Sequence, residues 1–418
     1  MGVKRFVATA LVGGIMVALG AAAGVVWLLG EGRQAASEPI EAVLSSSNWL
    51  VLGGWLALAV LVAGGWLLAW SVGWLNRSLL SHWLPEPSEA ASRLHERLRR
   101  ARGPRIVALG GGTGLSRLLR GLRSATSNLT AVVAVSDDGG SSGRLRVAFD
   151  MPAPGDLVDC LAALSDDEGA LGRLLDYRFA RGAELEGHTF GNLFITTLTE
   201  VEGEFGEALR TANRMLDLWG AVYPATAQPV QLKVRKRDGR EIVGERHAHE
   251  GGGAIAEVRL VPPGPTALPE VIAALGMADV VVLGPGSLYT STMPPLLVPG
   301  VRAALLVSPA LLVYVCNIMT EDGETSGLDA WDHVAAVHEH LGRYPDWVVV
   351  NDQVLDARRV SSYAEEGASL VQVDAQRFAA AGIGLVRLPL LDEGVHAQHD
   401  PERLAEGLLA LADGRSRQ

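Results

Sequence analysis

Apolar residues dominate the first 80 positions and then break into short runs. Phe6 to Leu29 and Trp49 to Leu75 are uncharged, mostly apolar stretches of 24 and 27 residues. Each is long enough to cross a hydrocarbon core of roughly 30 Å as a helix. A cleaved signal peptide would account for the first run alone, but that run exceeds the usual apolar segment and a second follows at once. The pattern therefore predicts a two-helix transmembrane hairpin over residues 1–83.

Beyond residue 104 the apolar runs shorten. "IVALG" and "LTAVVAV" read as buried strands, as do the runs in "DVVVLGPGS", "VRAALLV", "LLVYV", "DWVVVN" and "SLVQV". Between them, Leu115, Leu118, Leu119 and Leu122, and then Leu157, Leu161 and Leu164, recur at helical spacing. Residues 193–209 read as one helix, and "PERLAEGLLALAD" as an amphipathic terminal helix. "VQLKVRKRDGREIVGE" alternates with period two around Asp238-Gly239, which predicts a hairpin closed by a tight primed turn. Strands alternating with helices predict an α/β fold, a Rossmann-like and mostly parallel sheet with helices on both faces and an inserted β-hairpin. The domain so defined spans 105–418, and residues 84–104 form a basic linker.

Charge placement orients the hairpin. Lys4 and Arg5 precede the first span, Arg33 alone lies in the connection, and Arg77, Arg93, Arg97, Arg99, Arg100 and Arg102 follow the second. The positive-inside rule puts both ends and the main domain in the cytoplasm, with the hairpin in a bacterial cytoplasmic membrane. Seven of the ten tryptophans precede residue 84, several near span ends where interfacial anchors sit. The linker's short amphipathic helix would lie along the anionic inner leaflet or serve as a solvated connector.

Residues 104–418 carry 27 basic and 41 acidic side chains, a net −14. That balance argues against a nucleic-acid partner, because phosphate-backbone affinity needs a basic footprint. An anionic ligand would need a local, shielded site. The two cysteines, Cys160 and Cys316, rule out a disulfide scaffold and read as buried structural thiols.

Three loops follow strands closely, where open α/β sheets bind ligands. Gly110-Gly111-Gly112-Thr113-Gly114 opens a helix, so its backbone can approach a phosphate at a helix N-terminus or can simply make a tight turn. Leu115 breaks the dinucleotide fingerprint, which disfavours an NAD-dependent dehydrogenase, and no P-loop lysine follows. In "VSDDGGSSGRLR", Asp137 stands where such folds place an acid on ribose hydroxyls, and Asp138 is a candidate Mg²⁺ ligand. Gly139 to Gly143 can form an anion nest, with Arg144 and Arg146 adding charge. "LGPGSLYTST" offers a rigid turn with Ser287, Tyr289, Thr290 and Ser291 as hydrogen-bonding groups. Asp156 and Asn192 read as site residues or helix caps, and His188 as site lining or a satisfied structural histidine. His247, His249 and Glu250 resemble a chelate but lack a further ligand group, so surface polarity is the simpler reading.

Taken in order, "VALGGGTGLSRLLRGLR", "VSDDGGSSGRLR", "PAPGDLVDCLAAL", "GHTFGNL", "LGPGSLYTS" and "VCNIMTEDGET" resemble the bacterial gluconeogenesis factor family, relatives of 2-phospho-L-lactate transferase. The resemblance runs from about Arg105 to about His338 and leaves the hairpin outside. It implies a Rossmann-type fold that binds a UDP-sugar such as UDP-N-acetylglucosamine and regulates cell shape and wall-precursor supply during gluconeogenic growth. A cell-wall synthesis protein would be its partner, and the oligomeric state stays open. By that resemblance Gly111, Gly112, Thr113 and Gly114 line the ligand, beside Asp137, Asp138 and Ser141, and Asn192, Gly286, Ser287 and Tyr289 complete the site. The transferase relatives move a phospho-lactyl group onto a deazaflavin alcohol with Mg²⁺, which is the alternative activity. Three departures stand out: Asp159 for asparagine, Thr189-Phe190 for a small polar residue and leucine, and Glu321-Asp322 for glutamine and a non-acidic residue. The last adds negative charge where a diphosphate is expected, unfavourable unless a metal or arginine offsets it.

Overall fold

The computed structural model describes residues 2–34, 55–75, 95–165, 168–249, 252–394 and 396–416. They fall into two compact units, Met1–Glu96 and Arg97–Gln418.

In the first unit, helix α1 spans Gly2–Gln34 and helix α2 spans Trp55–Leu75. Their apolar segments, Ala8–Leu29 and Trp55–Leu75, have mean hydropathies of 2.2 and 1.9 and are long enough to cross a membrane. The start of the second apolar run, residues 49–54, lies outside the described residues, as does most of the linker. Small residues bring the helices together: a Cβ on Gly64 would lie 2.8 Å from Met16 Cβ, and one on Gly20 would lie 2.9 Å from the Leu61 nitrogen. Leu11, Val26, Leu29 and Trp66 point outward and are largely exposed. An apolar exterior over a small-residue seam is how helices pair in lipid.

The second unit begins at Arg97, within a helix over residues 95–100. The arginines expected to meet lipid or solvent instead hold this segment on the domain. Arg97 pairs with Asp217 at 2.6 Å, Arg100 sits 4.1 Å over the Trp219 ring, and Arg99 donates to the Ser124 carbonyl.

The main sheet has seven parallel strands in the order β10-β9-β8-β7-β1-β2-β3. They are β1 (Ile106–Gly110), β2 (Leu129–Val133), β3 (Ala221–Pro224), β7 (Val280–Leu283), β8 (Leu311–Val315), β9 (Trp347–Asn351) and β10 (Gly384–Leu388). Every residue of β1 and β7 is buried, which explains their unbroken apolar sequence, since both faces are covered. The helices that matter below are α3 (Gly112–Leu122), α4 (Gly140–Phe149), α5 (Gly155–Leu164), α6 (Phe190–Glu202), α7 (Phe205–Met215), α8 (Pro299–Val307), α9 (Ala330–Leu341) and α10 (Pro401–Ser416). The four leucines of α3 are fully buried, each worth about 1.5–3 kcal/mol of apolar transfer. Cys160 and Cys316 are buried and unpaired, as expected.

Four readings of the sequence are corrected. "VRAALLV" belongs to α8, not a strand: Pro299 starts the helix, and only Val301 and Leu305, one helical turn apart, are buried in it. "SLVQV" forms no strand beyond an isolated bridge from Leu370 to Met319; the seventh strand is "GLVRL", a half-buried edge strand with a weak apolar signal. The single helix read over 193–209 is two, broken at Gly203 with φ 76°. The inserted hairpin is part of a three-stranded antiparallel sheet, β5-β4-β6, formed by Glu241–Val243, Gln231–Lys236 and Ile255–Val261. Its turn is not a primed one, because Gly239 has φ 90° while Asp238 does not have positive φ. The Gly239 N–H bonds to the Lys236 carbonyl and the Lys236 N–H to the Arg240 carbonyl, so the connection is a turn with a glycine bulge.

Helix α3 packs between α5 and α10, and a Cβ on Gly121 would lie 2.0 Å from the Pro401 carbonyl oxygen. Gly121→Ala therefore loses more to overpacking, about 1–3 kcal/mol, than alanine's helix propensity returns. The expected result is a lower Tm in thermal melts of the full chain; an unchanged or higher Tm would show that α10 yields at this contact.

Candidate functional site

Chain order and strand order together locate the site. From β1 the chain builds β2 and β3 on one side, then crosses to β7, β8, β9 and β10 on the other. The switch point is the crevice at the carboxyl ends of β1 and β7, where open α/β folds bind ligands. The two glycine loops meet there. Gly111 caps α3 and Gly112 has φ 60°. A Cβ on Gly114 would lie 2.4 Å from the Pro285 carbonyl oxygen, so only glycine lets α3 begin against the Gly284–Ser287 turn.

Between the loops lies a cleft of about 430 Å³, lined by Gly111 to Gly114, Gly286, Ser287, Asn317, Glu321 and His399 among others. Gly112 to Gly114, the first turn of α3, line it, and a helix N-terminus favours an anion, with the Gly112 N–H already bonded to Asp156. Arg117 also lines the cleft, but its guanidinium is committed to Asp392 at 2.6 Å and to the His399 carbonyl. A larger groove of about 690 Å³ lies at the opposite, amino-terminal edge of the sheet, lined by Arg97, Ile106, Leu129 and Trp219 among others. Its charges are paired, Arg97 with Asp217 and Arg105 with Asp279, and no glycine loop converges on it.

Beside the glycine loop stands a group of carboxyls. Asp156 is positioned so that a Cβ on Gly111 would lie 2.3 Å from its Oδ2. Burial, then the neighbouring Asp137 and Asp159 charges, push its carboxyl up to about 7, against the Gly112 N–H that it accepts. Asp159 is raised to about 6 by burial and by Asp176. Asp137 is also raised by burial, although it accepts the Gly139 N–H at 2.8 Å. Glu245 accepts from Ser136 Oγ at 3.1 Å and is pushed well up by burial and by Asp156.

Ser141, Asn192 and His188 lie together. Ser141 Oγ lies 2.9 Å from His188 Nδ1 and accepts from Asn192 Nδ2 at 3.0 Å. All three side chains are buried. Thr189, not Asn192, caps α6, which frees the Asn192 amide for this cluster. Burial and the charges of Arg144 and Arg178 lower the His188 pKa, so its ring is neutral at pH 7. The cluster borders a second depression lined by Asp138, Gly140, Ser141, Arg144 and Arg246.

Tyr289 is placed differently from the expectation. It is 4 % exposed, packs edge-on against His340 and lies in the core, while its N–H donates to Glu324. It does not line the cleft. Asp138 Oδ1 accepts the Arg246 N–H at 2.9 Å, and among the described residues no three His, Cys, Asp or Glu side chains form a metal-holding group. His249 approaches Glu324 at 3.9 Å; Glu250 lies outside the described residues. Sequence reasoning left Arg117, Asn317, Glu321 and His399 out of the site. Only Glu321 carried a signal, as an acid in a loop after a strand.

A Rossmann-like α/β domain with a glycine-built cleft at the strand switch is the class that fold and site define. Residues 106–391 match the family described as 2-phospho-L-lactate transferase CofD. The chain is 40% identical over 310 residues to the gluconeogenesis factor of Bacillus subtilis, covering 74% of this chain and 98% of that protein. A provisionally named gluconeogenesis factor of Deinococcus radiodurans is 47% identical over 368 residues, covering 87% and 77%. A crystal structure of a Bacillus halodurans protein superposes with a TM-score of 0.71 at 39% identity, covering 74% of this chain and 100% of that one. The chain belongs to the gluconeogenesis factor family, within the CofD-type fold.

The raised Asp156 carboxyl makes stability depend on pH. The native state keeps a proton that the unfolded chain releases near roughly 4, so stability falls as pH rises toward and through about 7. Asp156→Asn removes that loss. The Tm of the variant should exceed that of the wild type by more at pH 8 than at pH 5, and an equal difference at both would refute the assignment.

Proposed function

We propose that this protein is a membrane-tethered regulator that binds a UDP-sugar at the switch-point cleft. The observation that carries the reading is the meeting of the α3 N-terminus with the Gly284–Ser287 turn. It supplies backbone N–H groups for a diphosphate inside a domain whose net charge of −14 would otherwise repel one. Asp137, after β2, stands on the side where such folds hold ribose hydroxyls. Ser141, in the neighbouring depression with Asn192 bonded to it, would extend the site on the β2 side, and Gly286 and Ser287 line the β7 side. The two apolar helices hold the domain at the cytoplasmic face of a bacterial membrane. There it would report UDP-sugar supply to a wall-synthesis partner and so govern cell shape and precursor supply during gluconeogenic growth. Relatives that carry the name gluconeogenesis factor support the metabolic setting.

One observation favours a second reading, transfer chemistry of the phospho-lactate kind. The buried Ser141 hydroxyl and the neutral His188 imidazole form a pair able to pass a proton. The fate of the ligand separates the two readings.

In calorimetric titration of the full chain in detergent, UDP-N-acetylglucosamine should bind and be recovered intact. Gly114→Ala, which drives a methyl into the Pro285 carbonyl and so forces the α3 N-terminus and the turn apart, should weaken binding about 10-fold or more, about 1.4 kcal/mol. Absence of binding at millimolar ligand would sink the regulator reading, and ligand turnover would shift it to the transferase. Separately, the full chain should sediment with membranes and be released by detergent but not by high salt, whereas the chain lacking residues 1–84 should stay in the soluble fraction. Sedimentation of both would place the attachment elsewhere.

A further inference from the structure

We propose that Glu321 forms a hydroxyl-reading subsite that takes the sugar end of the ligand, fixing its direction across the cleft. The inference rests on the UDP-sugar reading and adds a polarity to it. Glu321 lies in the loop that follows β8, on the opposite side of the switch point from β2 and Asp137, and lines the same cleft as Gly111 to Gly114. A ligand with its diphosphate on the α3 N-terminus therefore has one end near Asp137 and the other near Glu321.

The Glu321 carboxylate is held in place. Its Oε2 accepts from Ser287 Oγ at 2.7 Å and its Oε1 from Asn317 Nδ2 at 3.2 Å. Its own N–H donates to Thr325 Oγ1 at 2.8 Å. A carboxylate offers about four acceptor sites, so two protein donors leave capacity for ligand hydroxyls. Its charge repels phosphate and favours neutral donors, the reverse of the α3 end. The two ends of the cleft thus select opposite chemistries.

The residue behind it is Glu324, which is fully buried and accepts the Tyr289 N–H at 2.7 Å; burial, then the neighbouring Glu321, raises its pKa and favours its neutral form. Of the two, Glu321 is the one that lines the cleft. Arg117, already bound to Asp392, does not neutralise it.

The test compares UDP with UDP-N-acetylglucosamine by calorimetry, using the full chain in detergent. The expectation for Glu321→Gln is UDP affinity equal to or above that of the wild type, since a charge that repels phosphate is removed, and UDP-N-acetylglucosamine affinity reduced about 10-fold or more, as for hydrogen bonds to a charged group. Ser287→Ala, which removes one support of the carboxylate, should show the same selectivity to a smaller degree and guards against misfolding of the first variant. Asp137→Asn should weaken both ligands alike. If Glu321→Gln weakens UDP as much as the sugar nucleotide, the direction is wrong, and if both variants leave both ligands unchanged, Glu321 is not a subsite. Wild-type protein that binds neither ligand would remove the nucleotide-sugar reading itself, and this proposal with it.

Discussion

The site depends on one close approach, that of the Gly114 backbone to the Pro285 carbonyl. A side chain at 114 would push its Cβ to 2.4 Å from that oxygen. Because glycine is there, α3 can start directly against the turn after β7, and the carboxyl ends of two adjacent central strands close into a single cleft. The parallel sheet supplies the rest. β1 and β7 are neighbours in the sheet but separated by some 170 residues of chain, and the helices between them pack on the sheet rather than across its open end.

Electrostatics explain why, in the proposed reading, backbone donors rather than cationic side chains would hold a phosphate. The domain is acidic, and several carboxyls near the glycine loop have their pKa raised by burial and by one another. The arginine that lines the cleft is already paired. A helix N-terminus can attract an anion without a mobile cation and without the desolvation cost of a buried charge. The same cleft presents the Glu321 carboxylate at its far side, away from the α3 N-terminus.

The antiparallel sheet braces that far side. Lys236 of β4 is buried, and its ammonium donates to the carbonyls of Gly253 and Gly323. The Ile255 N–H of β6 bonds to the Glu324 carbonyl, and Glu324 in turn accepts the Tyr289 N–H. The insertion thus holds the 321–325 loop against the turn after β7. What reads in the chain as a peripheral hairpin is a support for the binding loops.

Local sequence was enough for elements whose burial is uniform or strictly periodic. β1, β2, β7, β8 and β9 have unbroken apolar runs because both faces are covered, α3 repeats leucine at helical spacing, and the glycine loops mark where the backbone must turn sharply. The two apolar helices were legible from length and composition alone. Sequence was insufficient where an apolar run had two uses: "VRAALLV" suits a strand or a helix, and Pro299 with the surrounding packing decided for α8. It was insufficient for β10, whose edge position buries only part of each residue. Tyr289 shows the limit for the site, since only packing against His340 turned its ring into the core. Glu321 shows the converse. Its motif puts an acid near the site, but its place at the far end of the cleft is not legible locally, because its partner Ser287 is 34 positions away and meets it only when β7 and β8 pair. Short-range periodicity encodes which side of an element is buried, whereas a binding site is made by contacts between distant segments, and those exist only after the sheet has brought them together.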